Sequence, residues 1–208
     1  MIKRKNLVFL FLKYLFLSLV GFLLIYPFVF MVFASFKTNE ELFGSTSLFP
    51  QQYSLEPFIN GWKASGQFTF TTFYLNTFKL VIPTVIFTVI SSVFVGYGFA
   101  RFKFPLKKLL FTFMISTLML PNAIIIIPRY IMFKNFSWID TYLPFIAPAI
   151  FACYPFFVYM LVQFFRGIPK ELDEAACIDG SSTLGVLLKI HLPLLKPAIF
   201  STVIFQSI

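Results

Sequence analysis

Charge is what this sequence has least of. Only 12% of its 208 residues are Asp, Glu, Lys or Arg, while 59% are hydrophobic and 32 are Phe. A soluble domain carries about 25% charged residues, and no single domain of this size hides so much apolar surface from water. The same composition excludes intrinsic disorder. Cysteine and histidine are nearly missing, at two and one, which excludes a disulfide framework and a Cys/His zinc cluster. Cys153 lies in an apolar stretch and Cys177 in a charged loop, and both read as unbonded thiols. The nine glycines never gather into a phosphate-cradling loop, and Gly96-Tyr97-Gly98 lacks the remaining glycine of a dinucleotide fingerprint. His191 has neither a nucleophile nor an acid arranged with it along the chain. The sequence therefore reads as no enzyme, with no metal site and no cofactor bound by this chain.

The formal net charge of +9 would point to nucleic acid on a soluble protein. Here the basic residues sit in short runs between apolar stretches, so they read as topology signals and no nucleic-acid partner is expected. Four runs hold no charge at all: Tyr14 to Phe36, Leu80 to Ala100, Leu109 to Pro128 and Thr141 to Phe165. Each supplies the roughly 20 residues that cross a bilayer core. A fifth run, Pro197 to Ile208, reaches only about 18 Å of a core about 30 Å thick. The fold class expected is all-α, a polytopic integral membrane helical bundle with four complete spans and a truncated fifth. The first run exceeds a signal-peptide core of about 7–15 residues, so it reads as an uncleaved anchor.

Twelve of the 17 Lys and Arg fall on one side of these spans and five on the other. That bias places the N-terminus in the cytoplasm, residues 37 to about 72 outside, a short external turn at Arg129–Asp140, and the segment 166–196 in the cytoplasm. The external segment, with Gly44, Pro50, Pro57, Gly61, Gly66 and Trp62, reads as an ordered loop with short helical turns.

None of the four complete runs contains an ionisable acid or base, whereas proton-coupled carriers normally place such groups in the bilayer. Uncharged polar residues are present, among them Thr84, Thr88, Ser91, Ser92, Asn122, Tyr154, Tyr159 and Gln163. Two readings stay open for them: helix–helix hydrogen bonding, or a path for a neutral polar solute through Asn122, Tyr154 and Tyr159. Pro83, Pro121, Pro144, Pro148 and Pro155 interrupt the runs, which suits a bundle around a cavity.

The segment from Ile168 to Gly180 spells a short helix. Pro169 suits its first position, Glu171, Asp173 and Glu174 its N-terminal end, and Gly180 a left-handed stop. Ser181 or Ser182 is placed to cap a second helix, limited by Pro193. Leu172, Ala175 and Ala176 share a helical face whose small side chains admit another backbone, and the acids beside them match basic groups on a protein partner. A helix lying on lipid would be basic where this one is acidic.

Glu174-Ala175-Ala176, then Gly180, Ile190, Leu192 and Pro193 at fixed spacing, resembles the EAA loop of binding-protein-dependent ABC importer permeases. Asn76-Thr77, Gly96 through Phe102 with Phe104-Pro105, Ile127 through Tyr130, Asn135 through Tyr142 and Leu194 through Ala198 extend the likeness to the second permease subunit of the carbohydrate, maltose-type branch. The likeness implies that Glu171, Glu174, Ala175, Ala176, Gly180, Ile190, Leu192 and Pro193 form the ATPase-coupling loop. It implies ABC ATPase subunits that use the ATP, a second permease subunit, an extracytoplasmic sugar-binding protein and the lipid bilayer as partners. The location implied is a bacterial-type cytoplasmic membrane, multi-pass. Residues 1–71 form the tail, first span and external loop, and 72–208 the transporter domain with its coupling loop at 166–196. The family often has Arg where Val162 stands, and it has six spans, so this chain is expected to be C-terminally truncated. A permease for another small polar solute, such as a glycerol phosphate, or a secondary carrier, are the alternatives.

Overall fold

The computed structural model describes residues 4–63 and 68–208, apart from the side chains of residues 4–6 and Asn122. Lys3, one of the twelve basic residues counted on the N-terminal side, Gly66 of the expected external loop, and the Asn122 side chain lie outside the described residues. The chain forms two compact units, Met1–Tyr74 and Leu75–Ile208.

In the first unit, α1 (Arg4–Ala34) runs unbroken through Pro27. It is apolar on every side, with Phe9, Phe22 and Leu23 exposed at 72%, 76% and 74%. A helix hydrophobic all round needs lipid or protein to cover it, and Leu7–Ala34 is long enough to cross a membrane. The segment that follows is ordered by Lys37, whose buried ammonium donates to the Ser47 carbonyl and lies 5.7 Å from the Phe30 ring centroid. The short helix α2 (Asn39–Gly44) is capped by Thr38, which accepts from the Glu41 N–H, and α3 (Glu56–Trp62) follows. The Trp62 indole donates to Thr71 Oγ1 at 2.9 Å. The short helical turns read from the sequence are present.

The second unit is built on α4 (Phe70–Arg101). At about 1.5 Å per residue it is longer than the hydrocarbon core is thick. The run expected as the third span, interrupted at Pro121, is two helices, α5 (Lys107–Leu118) and α6 (Asn122–Asn135), bent by 104°. Pro121 has no N–H to continue the ladder and biases the residue before it out of the helical region. The segment from Arg129, expected as a turn, stays helical through Asn135.

The fourth run is broken too, into α7 (Leu143–Ile150) and α8 (Pro155–Gly167), with Ala152 at φ 54° in the gap. Leu143–Gly167 together is still long enough to span. The Ala149 carbonyl next to this break takes a long 3.4 Å bond from the Ala152 N–H and a closer one from Ser91 Oγ at 2.6 Å, so α4 helps to satisfy a backbone group at the break. Among the described residues three helical segments are thus long and apolar enough to cross, or five if the bent pairs α5–α6 and Thr183–Leu194 with Lys196–Ser207 count as one span each. No β-strand occurs among the described residues.

The buried core of this unit joins Val93 and Tyr97 of α4, Leu161 and Phe165 of α8, Leu187, Leu195 and Ala198. Gly96 lets α4 approach α8: a Cβ there would stand 3.3 Å from Leu161 Cβ and 3.6 Å from the Val162 nitrogen. Gly96→Leu should therefore force the two helices apart, at the roughly 1–3 kcal/mol typical of overpacking. The check is the thermal midpoint of the detergent-solubilised protein, expected to fall for Gly96→Leu and to stay unchanged for Gly21→Leu, where a Cβ meets nothing within 4 Å.

Candidate functional site in the loop 166–196

After Gly167 the chain leaves the apolar helices and forms α9 (Glu171–Ile178). Pro169 is not its first residue, as expected, but precedes the cap position Lys170. Glu171, Asp173 and Glu174 fill the first turn, where the helix dipole favours them. The helix ends as expected on Gly180, at φ 78°. The Ser181 N–H bonds to the Ala176 carbonyl and the Gly180 N–H to that of Cys177, the paired bonds of a Schellman stop. Open space surrounds the Gly180 Cα, so it is the positive φ that calls for glycine there.

The next helix starts at α10 (Thr183–Val186), capped by Ser182 Oγ, which accepts from the Gly185 N–H at 3.1 Å. It does not stop at Pro193. A wide π turn at Leu187–His191 leads into α11 (Leu192–Leu194), and the chain then bends by 76° into α12 (Lys196–Ser207). The π turn shifts the Leu192 N–H to the Leu187 carbonyl, five residues back. A widened turn just before proline relieves its clash with the carbonyl four residues earlier.

One carboxylate ties this loop to the bundle. Asp173 Oδ1 lies 2.7 Å from His191 Nε2, and Oδ2 lies 2.9 Å from Arg101 Nε as a close ion pair off the hydrogen-bond axis. The Arg101 guanidinium also donates to the Ile168 carbonyl at 2.8 Å. The Tyr97 hydroxyl donates to the Thr183 carbonyl at 3.3 Å. The Tyr97, Phe165 and His191 rings pack with centroids 5.3–5.5 Å apart. His191 is fully buried, and its Nδ1 meets no partner among the described residues. The neutral tautomer with the proton on Nε2 fits this pair, since a second proton on Nδ1 would find no acceptor. Burial holds His191 below its ordinary value, against the pull of Asp173. The acid absent from the sequence around His191 is thus supplied by a residue 18 positions away.

The loop is two-sided. Asp173 is half-buried and Ala176 is only 6% exposed, so both belong to the inner face. The expected partner face of Leu172, Ala175 and Ala176 is corrected accordingly. Glu171, Leu172, Glu174 and Ala175 point outward, joined by Ile178 at 87% exposure. Leu192 packs on the core, Ile190 is half-buried and Pro193 is exposed. Of the solute-path candidates, the Tyr154 hydroxyl donates to the Phe145 carbonyl and Tyr159 packs near Phe111. The Asn122 side chain lies outside the described residues. The cleft beside α4 and α7, lined by Phe87, Ile90, Ser91, Phe94, Ile150 and Phe151 among others, includes neither tyrosine.

A multi-pass helical membrane bundle with a docked helix–turn–helix between its apolar segments is the architecture of a transporter's membrane subunit. Residues 92–208 match the family of binding-protein-dependent transport system inner membrane components. The chain belongs to that family, a transport membrane component and not an enzyme family. It is 35% identical over 182 residues to a putative ABC transporter permease protein ORF2 of Caldicellulosiruptor sp., covering 87% of this chain and 65% of the relative. It is 31% identical to the arabinooligosaccharides transport system permease protein AraQ of Halalkalibacterium halodurans, covering 92% and 68%. The chain thus spans about two thirds of the length of these relatives. A crystal structure of a bacterial ABC transporter involved in the import of the acidic polysaccharide alginate shares the fold, with a TM-score of 0.81 at 18% identity, over 100% of this chain and 72% of that one.

Sequence reasoning missed Arg101, Tyr97 and His191 as parts of this site. Removing Asp173 strands two buried cations or donors, which costs about 3–5 kcal/mol in a fully buried pair and less here, where Asp173 is 22% exposed. Asp173→Ala should speed amide exchange across residues 171–178 well beyond the effect of Glu174→Ala, and Arg101→Met should recover part of the loss. Because folding holds His191 below 6.5, the unfolded loop binds more protons as pH falls through that value, so the docked loop loses stability there and levels off below the folded value. Amide protection of α9 should drop between neutral and mildly acidic pH. His191→Phe, which keeps the ring packing, should flatten that dependence.

Proposed function

We propose that this chain works as the permease subunit of an ATP-driven importer of a sugar or oligosaccharide, coupled to a separate ATPase through α9. The observation that carries this is the two-sided α9, whose inner face is bound to α4 and to the π turn while Glu171, Glu174, Ala175 and Ile178 are left outward. Relatives named for arabinooligosaccharides, diacetylchitobiose and galactooligosaccharides support the substrate class. Two ATPase subunits, a second permease and an extracytoplasmic binding protein complete the assembly proposed. The chain itself binds no cofactor, and ATP is used by the ATPase. The N-terminus and α9 face the cytoplasm in this reading, supported by the Lys and Arg bias.

The mechanism follows from the links. ATPase closure displaces α9, and the Asp173–Arg101 pair passes the displacement to the end of α4. The Tyr97–Thr183 bond and the His191 contact pass it through the second helix to α12. The loop moves with the spans because buried side chains join them.

Two groups of variants separate docking from folding. Glu174→Lys, Ala175→Trp and Ile178→Ser change only the outward face. Each should lower the ATPase retained by the solubilised permease and the sugar-stimulated hydrolysis, with α9 amide protection unchanged. Ala176→Leu and Gly180→Val alter the inner packing and the turn, and should lose protection as well. Asn122→Ala should leave retention intact. Normal retention and coupling in all three outward variants would reduce α9 to a surface linker. For orientation, an impermeant thiol reagent in intact cells should miss the exposed Cys177 and label a cysteine placed at Phe43; labelling of Cys177 would invert the topology.

A further inference from the structure

At the junction of α4 and α5 the charge of Arg101 is committed to Asp173, but the charges just beyond it enter no ion pair among the described residues. Both ion pairs among the described residues end on Asp173. Lys103, Lys107 and Lys108 line one open cleft of about 460 Å³, together with Phe104, Leu106 and Leu109. Lys107 Nζ is held over it by a 2.7 Å bond to the Phe102 carbonyl and lies 6.0 Å from the Phe104 ring centroid. The opposite helix adds to the field: Arg166, at the end of α8, stacks its guanidinium 4.9 Å from the Phe111 centroid, and Arg166 and Lys170 act on Lys107 as like charges. The junction is shaped for this convergence by Leu106, which takes φ 59°, a conformation rare outside glycine, and leaves its own side chain 67% exposed. Five cations near one another, with no carboxylate within ion-pairing distance of them among the described residues, repel one another, and an anion placed among them removes that repulsion.

We propose that this cleft binds the headgroup of an anionic phospholipid in the leaflet at the α9 end of the bundle. The phosphate sits among Lys103, Lys107 and Lys108, and the acyl chains run along Leu106 and Leu109. Position and chemistry favour lipid over an acidic protein surface. The cleft lies where two apolar helices end, and half of its lining is apolar, which matches a molecule that is anionic at one end and hydrocarbon at the other. A protein surface complementary to the exposed Glu171 and Glu174 is basic, and a basic surface is repelled by these lysines.

The test uses the full chain, delipidated in detergent and loaded with phosphatidylglycerol or phosphatidylcholine, with bound lipid counted by native mass spectrometry. Phosphatidylglycerol should be retained in preference. Lys103→Gln with Lys108→Gln should weaken its binding about 25-fold, at about fivefold per lysine. Lys103→Arg with Lys108→Arg keeps the charge and should keep the lipid. Arg129→Gln with Lys134→Gln removes the same net charge elsewhere and should change nothing. Equal retention of both lipids, or equal loss in the Arg129/Lys134 control, overturns the site. Displacement of the lipid by excess inorganic phosphate alone overturns the lipid as its ligand. Lost ATPase retention with unchanged lipid binding in the Gln variant makes the cleft a protein-docking surface and overturns the proposal.

Discussion

The attachment of α9 to the bundle rests on Asp173, which faces two nitrogen groups that the chain brings from opposite directions. Arg101 arrives at the end of α4, and His191 at the end of the π turn. An arginine that is 7% exposed and a histidine with no exposure have no other carboxylate within reach among the described residues. The arginine also holds the Ile168 carbonyl, so one guanidinium fixes both the entry to the loop and its first helix. Buried ionic contacts of this kind add little net stability compared with apolar packing, but they are hard to break singly and they define one geometry. A part that must transmit motion needs that property more than it needs stability. The apolar contacts around the node, Tyr97 against Phe165 and His191, exclude water and strengthen the pair further.

A second constraint comes from the medium. Inside hydrocarbon each freed backbone group needs a partner, yet this chain breaks two of its apolar runs at prolines. The α7–α8 break shows how it is managed. Pro155 begins α8, Ala152 takes a left-handed conformation, and Ser91 of α4 donates to the Ala149 carbonyl. The hydroxyl that sequence patterning left between two roles, helix association and solute path, is occupied by the first. Tyr154 is likewise engaged with the Phe145 carbonyl. Thr88 and Ser92 differ: both are buried on α4, and their oxygens meet no partner among the described residues.

Local signals were legible because their causes are local. The Gly180 stop, the Ser182 cap, the acidic first turn and the long apolar helices follow from residue type and spacing alone. The loop's inner and outer faces were not legible. Leu172, Ala175 and Ala176 satisfy one helical face by spacing, but an 8-residue helix turns on a small rotation, and Asp173 sets that rotation. Placing Asp173 inward carries Ala176 in with it and turns Ala175 and Leu172 out. Nothing in the periodicity reports that an acid is the buried member. Its partners lie 72 and 18 positions away, and only tertiary structure joins them. The bends had a visible cause in Pro121 and Pro197, but proline alone does not state its outcome. Pro27 and Pro83 stay within unbroken helices, Pro121 stands at the start of α6 after a break, and Pro193 is absorbed by a widened turn.

The same physics separates residues of one charge that lie close together. Arg101 and Lys103 are two positions apart, and counting basic residues for topology treats them alike. Arg101 ends a helix packed on α8, where a planar guanidinium reaches both an acid and a carbonyl from a low-dielectric site. Lys103 lies past the helix end on an exposed connection, where no acid is within ion-pairing distance among the described residues. One charge is therefore internal and orients the loop, while the other remains available to the surroundings. The short stretch from Arg101 to Lys108 thus faces two ways: inward to the loop that moves, and outward to the medium in which it moves. The α4–α5 junction has to be stiff on its first side and solvated or lipid-covered on its second. The left-handed Leu106 between Phe104 and α5 marks where the chain changes from one to the other.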